Sequence, residues 1–286
     1  MAFFLSVYTP QKEINMGVTQ YQPGLLNQIR NLNPVVVTIA NNVTIGDVAN
    51  AVNAIGASPV MPAGIAESAE MVAIASAVTI NLGTWTNDQF EQMLAVNEAA
   101  IAAKRPVLID PVAVALPTRR RLFDRLIATG TPTVIRANAG EIAALAGQSG
   151  TSKGIDAGTV TDTASIAAAV AKRFHTIVVM TGPTDYVSDG TQTIAVTGGT
   201  SLFAAHVGSG DMLSSVLAAY LAVTDDFFTA AVTGTAQFGA IGQWVADDQQ
   251  LTNQQPGTFA VKLMDGFATA TNNDLNSLVK VEAITK

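Results

Sequence analysis

The chain has 286 residues, 49% of them hydrophobic, which is enough for a large buried core. Its formal net charge of −7 leaves no broad basic surface, so nucleic acid is not expected as a partner. It contains no cysteine, and its two histidines, His175 and His206, lie far apart in sequence. Disulfides, thiolate catalysis and Cys-based metal sites are therefore excluded, and an oxygen-ligated ion such as Mg²⁺ is the natural metal.

The sequence also lacks the patterns of a membrane or exported protein. No apolar run reaches the roughly 18 residues that a membrane-spanning helix needs. The start, Met1 to Pro10, lacks a basic region followed by an apolar segment of signal-peptide length. We therefore expect a cytoplasmic protein with no membrane partner.

Short β-branched runs alternate with amphipathic stretches after a leading helix and loop in residues 1–33. The strands are predicted at 35–40, 58–61, 78–83, 106–111, 133–136 and 176–181, and the helices at 45–55, 71–77, 87–104, 119–128, 138–146 and 162–174. Alternation of this kind predicts a mostly parallel sheet with helices on both faces.

The pattern changes after residue 182. Residues 185–197 alternate around Ser188-Asp189-Gly190-Thr191, which is typical of an antiparallel hairpin, and helices are predicted over 226–249 and 258–279. The hairpin and the helical end break the eightfold repeat of a β/α barrel, so a doubly wound sheet is favoured. The Gly/Ser/Thr-rich loop at 148–160 lies inside the alternation, and we expect one domain over 1–286.

One motif stands out, Gly208-Ser209-Gly210-Asp211, which opens an apolar helix. The first N–H groups of a helix have no internal partner and carry the positive end of its dipole. Glycines let an anion approach these donors, so the turn is a candidate phosphate cradle with Asp211 as a candidate base. Glycine and acidic residues are also common at helix starts for structural reasons alone.

Several other polar residues follow predicted strands. Ligands of doubly wound sheets bind at the carboxyl ends of the strands, so these residues and the glycine motif are expected on one rim. They are Asn41, Asp110, the segment Arg136-Ala137-Asn138, and Thr181-Gly182.

These strand-end segments together resemble the ribokinase-like kinases, and more closely the hydroxyethylthiazole kinase family. The segments occur in family order between about residues 34 and 225. They are Ala40-Asn41-Asn42-Val43-Thr44, Gly56-Ala57-Ser58-Pro59-Val60-Met61, Asn81-Leu82-Gly83-Thr84, Asp110-Pro111-Val112, residues 132–147 around Arg136-Ala137-Asn138-Ala139-Gly140-Glu141, Lys153-Gly154-Ile155-Asp156, and Thr181-Gly182.

The resemblance implies a single-domain, ribokinase-like α/β fold and ATP-dependent phosphorylation of the primary hydroxyl of 4-methyl-5-(2-hydroxyethyl)thiazole in thiamine salvage. It also implies a homotrimer with sites between subunits. By the matching positions, Asn41, Met61 and Gly208 would contact the alcohol, and Asp110 and Glu141 would hold Mg²⁺. The expected ATP-binding residues are Arg136, Asn138, Thr181, Gly182 and Gly210.

Plain structural roles compete with these assignments. Asn138 followed three residues later by Glu141 is the sequence of a capping box, which can coexist with a metal role. The remaining alternatives are a surface ion pair for Arg136, a strand-end turn for Asp110, core packing for Met61, and strand termination for Thr181-Gly182.

The chain departs from the family pattern at five positions. Asp211 stands where the family usually has cysteine, although the wider ribokinase-like group has aspartate there. Val37 replaces a frequent histidine, Ala205 a basic residue, and Ala113 and Ala115 replace glycines. Two other functions therefore stay open, a kinase of another small alcohol and a non-catalytic nucleotide-binding homologue.

Overall fold

The structure is a computed structural model that describes residues 20–148 and 160–284. The predicted loop at 148–160 and the Lys153-Gly154-Ile155-Asp156 segment lie almost wholly outside the described residues, as do residues 1–19. Within the described part of the chain, no helix combines the length and the apolar character needed to cross a membrane.

The described chain forms one nine-stranded sheet, in the order β2-β1-β3-β4-β5-β6-β7-β8-β9. The pairs from β2 to β6 are parallel, and the pairs from β6 to β9 are antiparallel. The strands are β1 Val35–Ile39, β2 Ser58–Val60, β3 Ala77–Asn81, β4 Val107–Asp110, β5 Val134–Asn138, β6 Ile177–Thr181, β7 Asp185–Ser188, β8 Thr193–Thr197 and β9 Lys280–Ala283. The predicted parallel sheet and late hairpin are confirmed.

Helices cover both faces of this sheet. They are α1 Leu25–Leu32, α2 Ile45–Ala54, α3 Ser68–Ile74, α4 Asn87–Ala102, α5 Pro117–Ala128, α6 Ala139–Ala146, α7 Val160–Phe174, α8 Leu202–Ala205, α9 Ser209–Leu221, α10 Phe227–Asp248, α11 Pro256–Thr269 and α12 Asn272–Leu275. A short 3₁₀ helix, Ile65–Glu67, precedes α3.

Two hydrophobic cores result from the alternation of side chains along the strands. Val36 of β1 packs in one core with α1, α2 and α9 to α11, and its neighbour Val37 packs in the other with α3 to α7. Burial of each such aliphatic side chain contributes roughly 1.5–3 kcal/mol. Val37, one of the five departures, is therefore a core residue and does not line a pocket.

The C-terminal part differs from the predicted helix over 258–279. Helix α11 ends at Thr269, a Thr271–Asp274 capping box begins the short α12, and residues 280–283 add β9 to the edge of the sheet beside β8. Strand β9 reads Lys-Val-Glu-Ala and is largely exposed, so no apolar run marks it in the sequence. Its pairing depends on β8, which sequence periodicity does not reveal.

The topology fixes where a ligand can bind. After β1 the chain pairs β2 on one side and then crosses to place β3 on the other side. The crevice at such a switch point, outside the carboxyl ends of the strands, is the usual ligand site of doubly wound sheets. Helix α9 begins against this crevice and is buried along nearly its whole length.

Candidate active site

The glycine turn before α9 is held close to two polar side chains. Gly208 has φ +93°, and a Cβ there would lie 2.4 Å from Cγ2 of Thr44. A Cβ on Gly210 would lie 2.3 Å from Nη1 of Arg136. Gly208 therefore requires glycine for its left-handed backbone, and a side chain at Gly210 would displace the guanidinium group of Arg136.

Asp211, in the first turn of α9, is 5% exposed and accepts hydrogen bonds from three neutral side chains. Nδ2 of Asn41 donates to Oδ2 at 2.8 Å, and Nδ2 of Asn81 donates to Oδ1 at 3.0 Å. The hydroxyl of Thr44 also donates to Oδ2. These donors come from the ends of β1 and β3 and from the start of α2, which meet at the switch point.

The electrostatic surroundings of Asp211 act in opposite directions. Burial raises the pKa of its carboxyl above the usual value, while the Thr44 hydroxyl, the Arg136 guanidinium and the Asn81 amide oppose that rise. A buried carboxylate that has donors on both oxygens has little freedom to rotate. Asp211 is thus a basic group held in a fixed orientation.

Arg136, on β5, contacts residues at the ends of both neighbouring strands, β4 and β6. Its Nη1 donates to Oδ2 of Asp110 at 3.2 Å and its Nη2 donates to Oγ1 of Thr181 at 2.6 Å. Its buried Nε has no hydrogen-bond partner among the residues described. Arg136 pairs with a carboxylate that is itself 2% exposed, so the predicted alternative of a surface ion pair is wrong.

Asp110, at the end of β4, has the most strongly perturbed carboxyl in the site. Burial raises its pKa to about 7, helped by the negative charges of Glu141 and Asp211 and opposed by Arg136 and a hydrogen bond from Ser214. That bond, from Oγ of Ser214 to Oδ2, is 3.0 Å long and comes from the second turn of α9. A cation beside Asp110 would offset the cost of its buried charge.

Glu141 forms the predicted capping box with Asn138 at the start of α6. Its Oε2 accepts the backbone N–H of Asn138 at 3.0 Å, and its own N–H donates to Oδ1 of Asn138 at 2.9 Å. Its Oε1 accepts the N–H of Ala113 at 2.8 Å. Ala113, which replaces a family glycine, has φ +60°, a conformation that glycine adopts more readily.

An open cleft of about 330 Å³ brings most of the predicted residues together. Its lining includes Asn41, Asp110, Arg136, Asn138, Glu141, Gly208, Gly210 and Asp211, all from the predicted set. Three predicted residues do not line it. Thr181 and Gly182 lie at the end of β6, with Thr181 in register with Asn138, and Met61 packs against the first core.

The cleft also contains residues for which no role is predicted from the sequence. Asn81 and Thr44 bind Asp211, and Val43 and Val207 are exposed apolar side chains of its lining. Asn81, Val43 and Thr44 belong to segments that carry the family resemblance, and Asn81 ends a predicted strand as Asp110 does. Its place at the end of a predicted strand is the feature of the sequence from which a role for Asn81 could have been predicted.

The buried charge of Asp110 predicts a pH-dependent gain in stability for Asp110→Asn. A pKa raised to about 7 in the folded state means that the contribution of Asp110 to wild-type stability is most favourable in acid and becomes less favourable as pH rises from about 4 to about 7. With EDTA and no nucleotide, we expect the variant to be more stable than wild type at pH 8, by up to about 4 kcal/mol. The gain should fall by more than half at pH 5.

Thermal or urea unfolding at the two pH values measures this difference. The control is Asp225→Asn, an exposed carboxylate beyond the C-terminal end of α9, which should change stability little at either pH. Equal stability of Asp110→Asn and wild type at pH 8 would show that Arg136 and Ser214 fully compensate the buried charge.

A doubly wound sheet, a helix that begins at the switch point and a buried acid beside an arginine define the class, a phosphotransferase of the ribokinase-like fold. The hydroxyethylthiazole kinase family model matches residues 26–273. The hydroxyethylthiazole kinase of Lactiplantibacillus plantarum is 47% identical over 261 residues, which cover 90% of this chain and 98% of the relative. The chain belongs to the hydroxyethylthiazole kinase family and is a kinase that acts on an alcohol.

Solved structures agree with this assignment. The hydroxyethylthiazole kinase protein of Pyrococcus horikoshii OT3 superposes with a TM-score of 0.82 at 32% identity, covering 92% of this chain and 98% of that one. A pyridoxal kinase from Staphylococcus aureus has a TM-score of 0.55 at 16% identity, covering 73% of this chain and 87% of that one. The second likeness concerns the fold alone.

Proposed function

We propose that the protein transfers a phosphoryl group from ATP to the primary hydroxyl of 4-methyl-5-(2-hydroxyethyl)thiazole, the thiamine-salvage reaction of its family. The observation that supports this best is the carboxylate of Asp211. It is buried and held by three donors at the start of α9, and it faces a cleft that also contains Arg136. A base and a cationic fork on one rim suit the transfer of a phosphoryl group to an alcohol.

In this proposal Asp211 accepts a hydrogen bond from the substrate hydroxyl and takes its proton as the oxygen attacks the terminal phosphorus of ATP. The bond from that phosphorus to the bridging oxygen breaks at the same time, and ADP leaves with the bridging oxygen. The N–H groups of the turn at Gly208 and Gly210 face the transferred group, where the positive end of the α9 dipole favours negative charge. The guanidinium of Arg136 offsets the charge that develops on the phosphate oxygens.

The remaining predicted contacts complete the two subsites. Asn138, Thr181 and Gly182, on the adjoining ends of β5 and β6, are proposed to contact ATP together with Arg136 and Gly210. Asn41 and Gly208 are proposed to contact the alcohol from the other side of the cleft. Met61 is proposed to contact the alcohol that is bound in the cleft of an adjoining subunit.

Mg²⁺ fits the donor set of the cleft. Asp110 and Glu141 both face it, and burial, together with the negative charge of Glu141, raises the pKa of Asp110. The described residues contain no group of three or more acidic, histidine or cysteine side chains that could hold a metal, but Mg²⁺ commonly binds one or two carboxylates together with phosphate oxygens and water. When bound, the ion would neutralise charge on the ATP phosphates. We propose Asp110 and Glu141 as its protein ligands.

We further propose that 1–286 is a single domain, that it acts in the cytoplasm, and that it forms a homotrimer with sites between subunits. Contact between subunits at the cleft is supported by Val43 and Val207, which are 69% and 73% exposed in its lining, and by Ile65, 53% exposed after β2, while the number of three subunits comes from the family resemblance. Apolar side chains this exposed often mark a protein interface. Light scattering should then give three times the mass of one chain.

The proposed function is tested by ADP release from Mg-ATP with hydroxyethylthiazole and a panel of other small primary alcohols. Saturable turnover that is best with hydroxyethylthiazole is the expected result. Better turnover of another alcohol would support the second function, a kinase of another small alcohol, which the departures at Asp211, Val37 and Ala205 left open. ATP binding without turnover of any alcohol would indicate the non-catalytic homologue.

A further inference from the structure

The two asparagines that contact Asp211 have their amide orientations fixed by other groups. Oδ1 of Asn81 accepts the backbone N–H of Gly83 at 2.7 Å, and Oδ1 of Asn41 accepts the backbone N–H of Val43 at 3.0 Å. A backbone N–H can only donate, so each amide oxygen must face it. The two NH₂ groups are therefore directed at Asp211.

Thr44 completes this set with its hydroxyl. The hydroxyl lies within reach of Oδ1 of Asn41, at 3.1 Å, and of Oδ2 of Asp211, but it has a single hydrogen to donate. The carboxylate is the stronger acceptor, and Oδ1 of Asn41 already accepts the Val43 N–H. The hydrogen of Thr44 therefore goes to Asp211.

An ordinary capping role does not account for the placement of Thr44. It is the N-cap residue of α2, where threonine commonly accepts a backbone N–H of the first turn, yet its side chain makes no such bond. Thr44 is 4% exposed, so the direction of its hydroxyl is set by the packing around it. The hydroxyl therefore forms a hydrogen bond with Asp211 and none with the first turn of its own helix.

We propose that Thr44 is a positioning residue that holds the Asp211 carboxylate in its working orientation. With Thr44 and Asn41 both donating to Oδ2, and Asn81 alone donating to Oδ1, Oδ1 is the oxygen with acceptor capacity left for the substrate hydroxyl. This inference rests on the proposed function, since it assigns Thr44 a part in the same proton transfer.

The competing explanation is packing, and two conservative variants separate it from positioning. Thr44→Val keeps the shape and the methyl group that approaches Gly208 but removes the hydroxyl. Thr44→Ser keeps the hydroxyl and removes that methyl group. Positioning predicts that kcat falls about 10-fold or more in Thr44→Val and is rescued in Thr44→Ser, with little change in the KM for ATP. The reverse order, with Thr44→Ser the slower variant, would overturn the proposal.

A second measurement needs no substrate. Thr44→Val is made in the wild-type chain and in Asp211→Ala, and the shift in Tm is compared. A hydrogen bond to Asp211 predicts a larger drop in Tm when the carboxylate is present, because in Asp211→Ala the hydroxyl can lose only the weaker acceptor, Oδ1 of Asn41 at 3.1 Å. Equal drops in both backgrounds overturn the positioning role. If no alcohol is turned over, the proposed function fails, and this comparison alone decides whether Thr44 holds Asp211.

Discussion

Asp211→Ala is expected to lower kcat for alcohol phosphorylation by about 10²- to 10⁴-fold, the usual contribution of a positioned general base. The substrate hydroxyl would lose the group that orients it and takes its proton. The affinity for ATP should change by less than about threefold, because Arg136 and the helix N–H groups that face the phosphates remain. Steady-state ADP release and equilibrium nucleotide binding measure the two effects separately.

Asp211→Asn refines this test. The amide has nearly the shape of the carboxylate but no basicity. Its NH₂ group would also face the donors of Asn41, Asn81 or Thr44, and two donors cannot form a hydrogen bond with each other. It should therefore be as slow as Asp211→Ala. Asp225→Ala, which removes an exposed carboxylate beyond the other end of α9, is the matched control and should keep wild-type turnover. Turnover of Asp211→Ala within tenfold of the control would exclude Asp211 as the base.

The rim of the site could be predicted because topology, rather than side-chain detail, produces it. A hydrophobic strand that ends in Asn41, Asp110 or Arg136-Ala137-Asn138 leads to the same edge of a parallel sheet whatever its partners are. The cleft accordingly contains these residues together with the turn before α9. The capping box of Asn138 and Glu141 was predictable from a local pattern, whereas the ribokinase-like fold was predicted from the resemblance of the strand-end segments to that group of kinases.

The contacts within the rim were less accessible to sequence reasoning. Asn81 ends a predicted strand, yet nothing local indicates that its amide faces Asp211, which lies 130 positions further along the chain. Thr44 resembles an ordinary helix cap in sequence, and only the packed structure shows that its hydroxyl is used elsewhere. Met61 lies outside the cleft of a single chain, so its proposed role depends on an assembly that periodicity does not describe.

The two buried carboxylates of the site, Asp110 and Asp211, share a single neighbouring positive charge. Asp110 and Asp211 are both buried, and burial raises the pKa of each. The single guanidinium of Arg136 opposes both of these rises in pKa. Such buried charges lower the free energy of unfolding of the free protein. A cation bound with ATP would reduce the electrostatic repulsion between the two carboxylates. The gain in stability expected of Asp110→Asn at pH 8 has this origin.

Arg136→Met is expected to lower kcat/KM for ATP by about 10²- to 10³-fold, mainly through the loss of charge at the transferred phosphoryl group. The change also leaves Asp110 without its ion pair and Thr181 without the 2.6 Å hydrogen bond from Nη2. Arg136→Lys restores one positive charge but cannot reach both groups with a planar fork, so it should recover only part of the activity.

Initial rates at varied ATP concentration, together with nucleotide binding, measure the effect of Arg136→Met. Arg120→Met is the control, because Arg120 pairs with the half-exposed Asp124 on α5 and should tolerate the change. A protein that is less stable but has a wild-type kcat/KM for ATP would show that Arg136 serves only to neutralise Asp110. A loss in kcat/KM that exceeds the loss in ATP affinity would instead mean that Arg136 binds the transition state more tightly than it binds ATP, as the proposed mechanism requires.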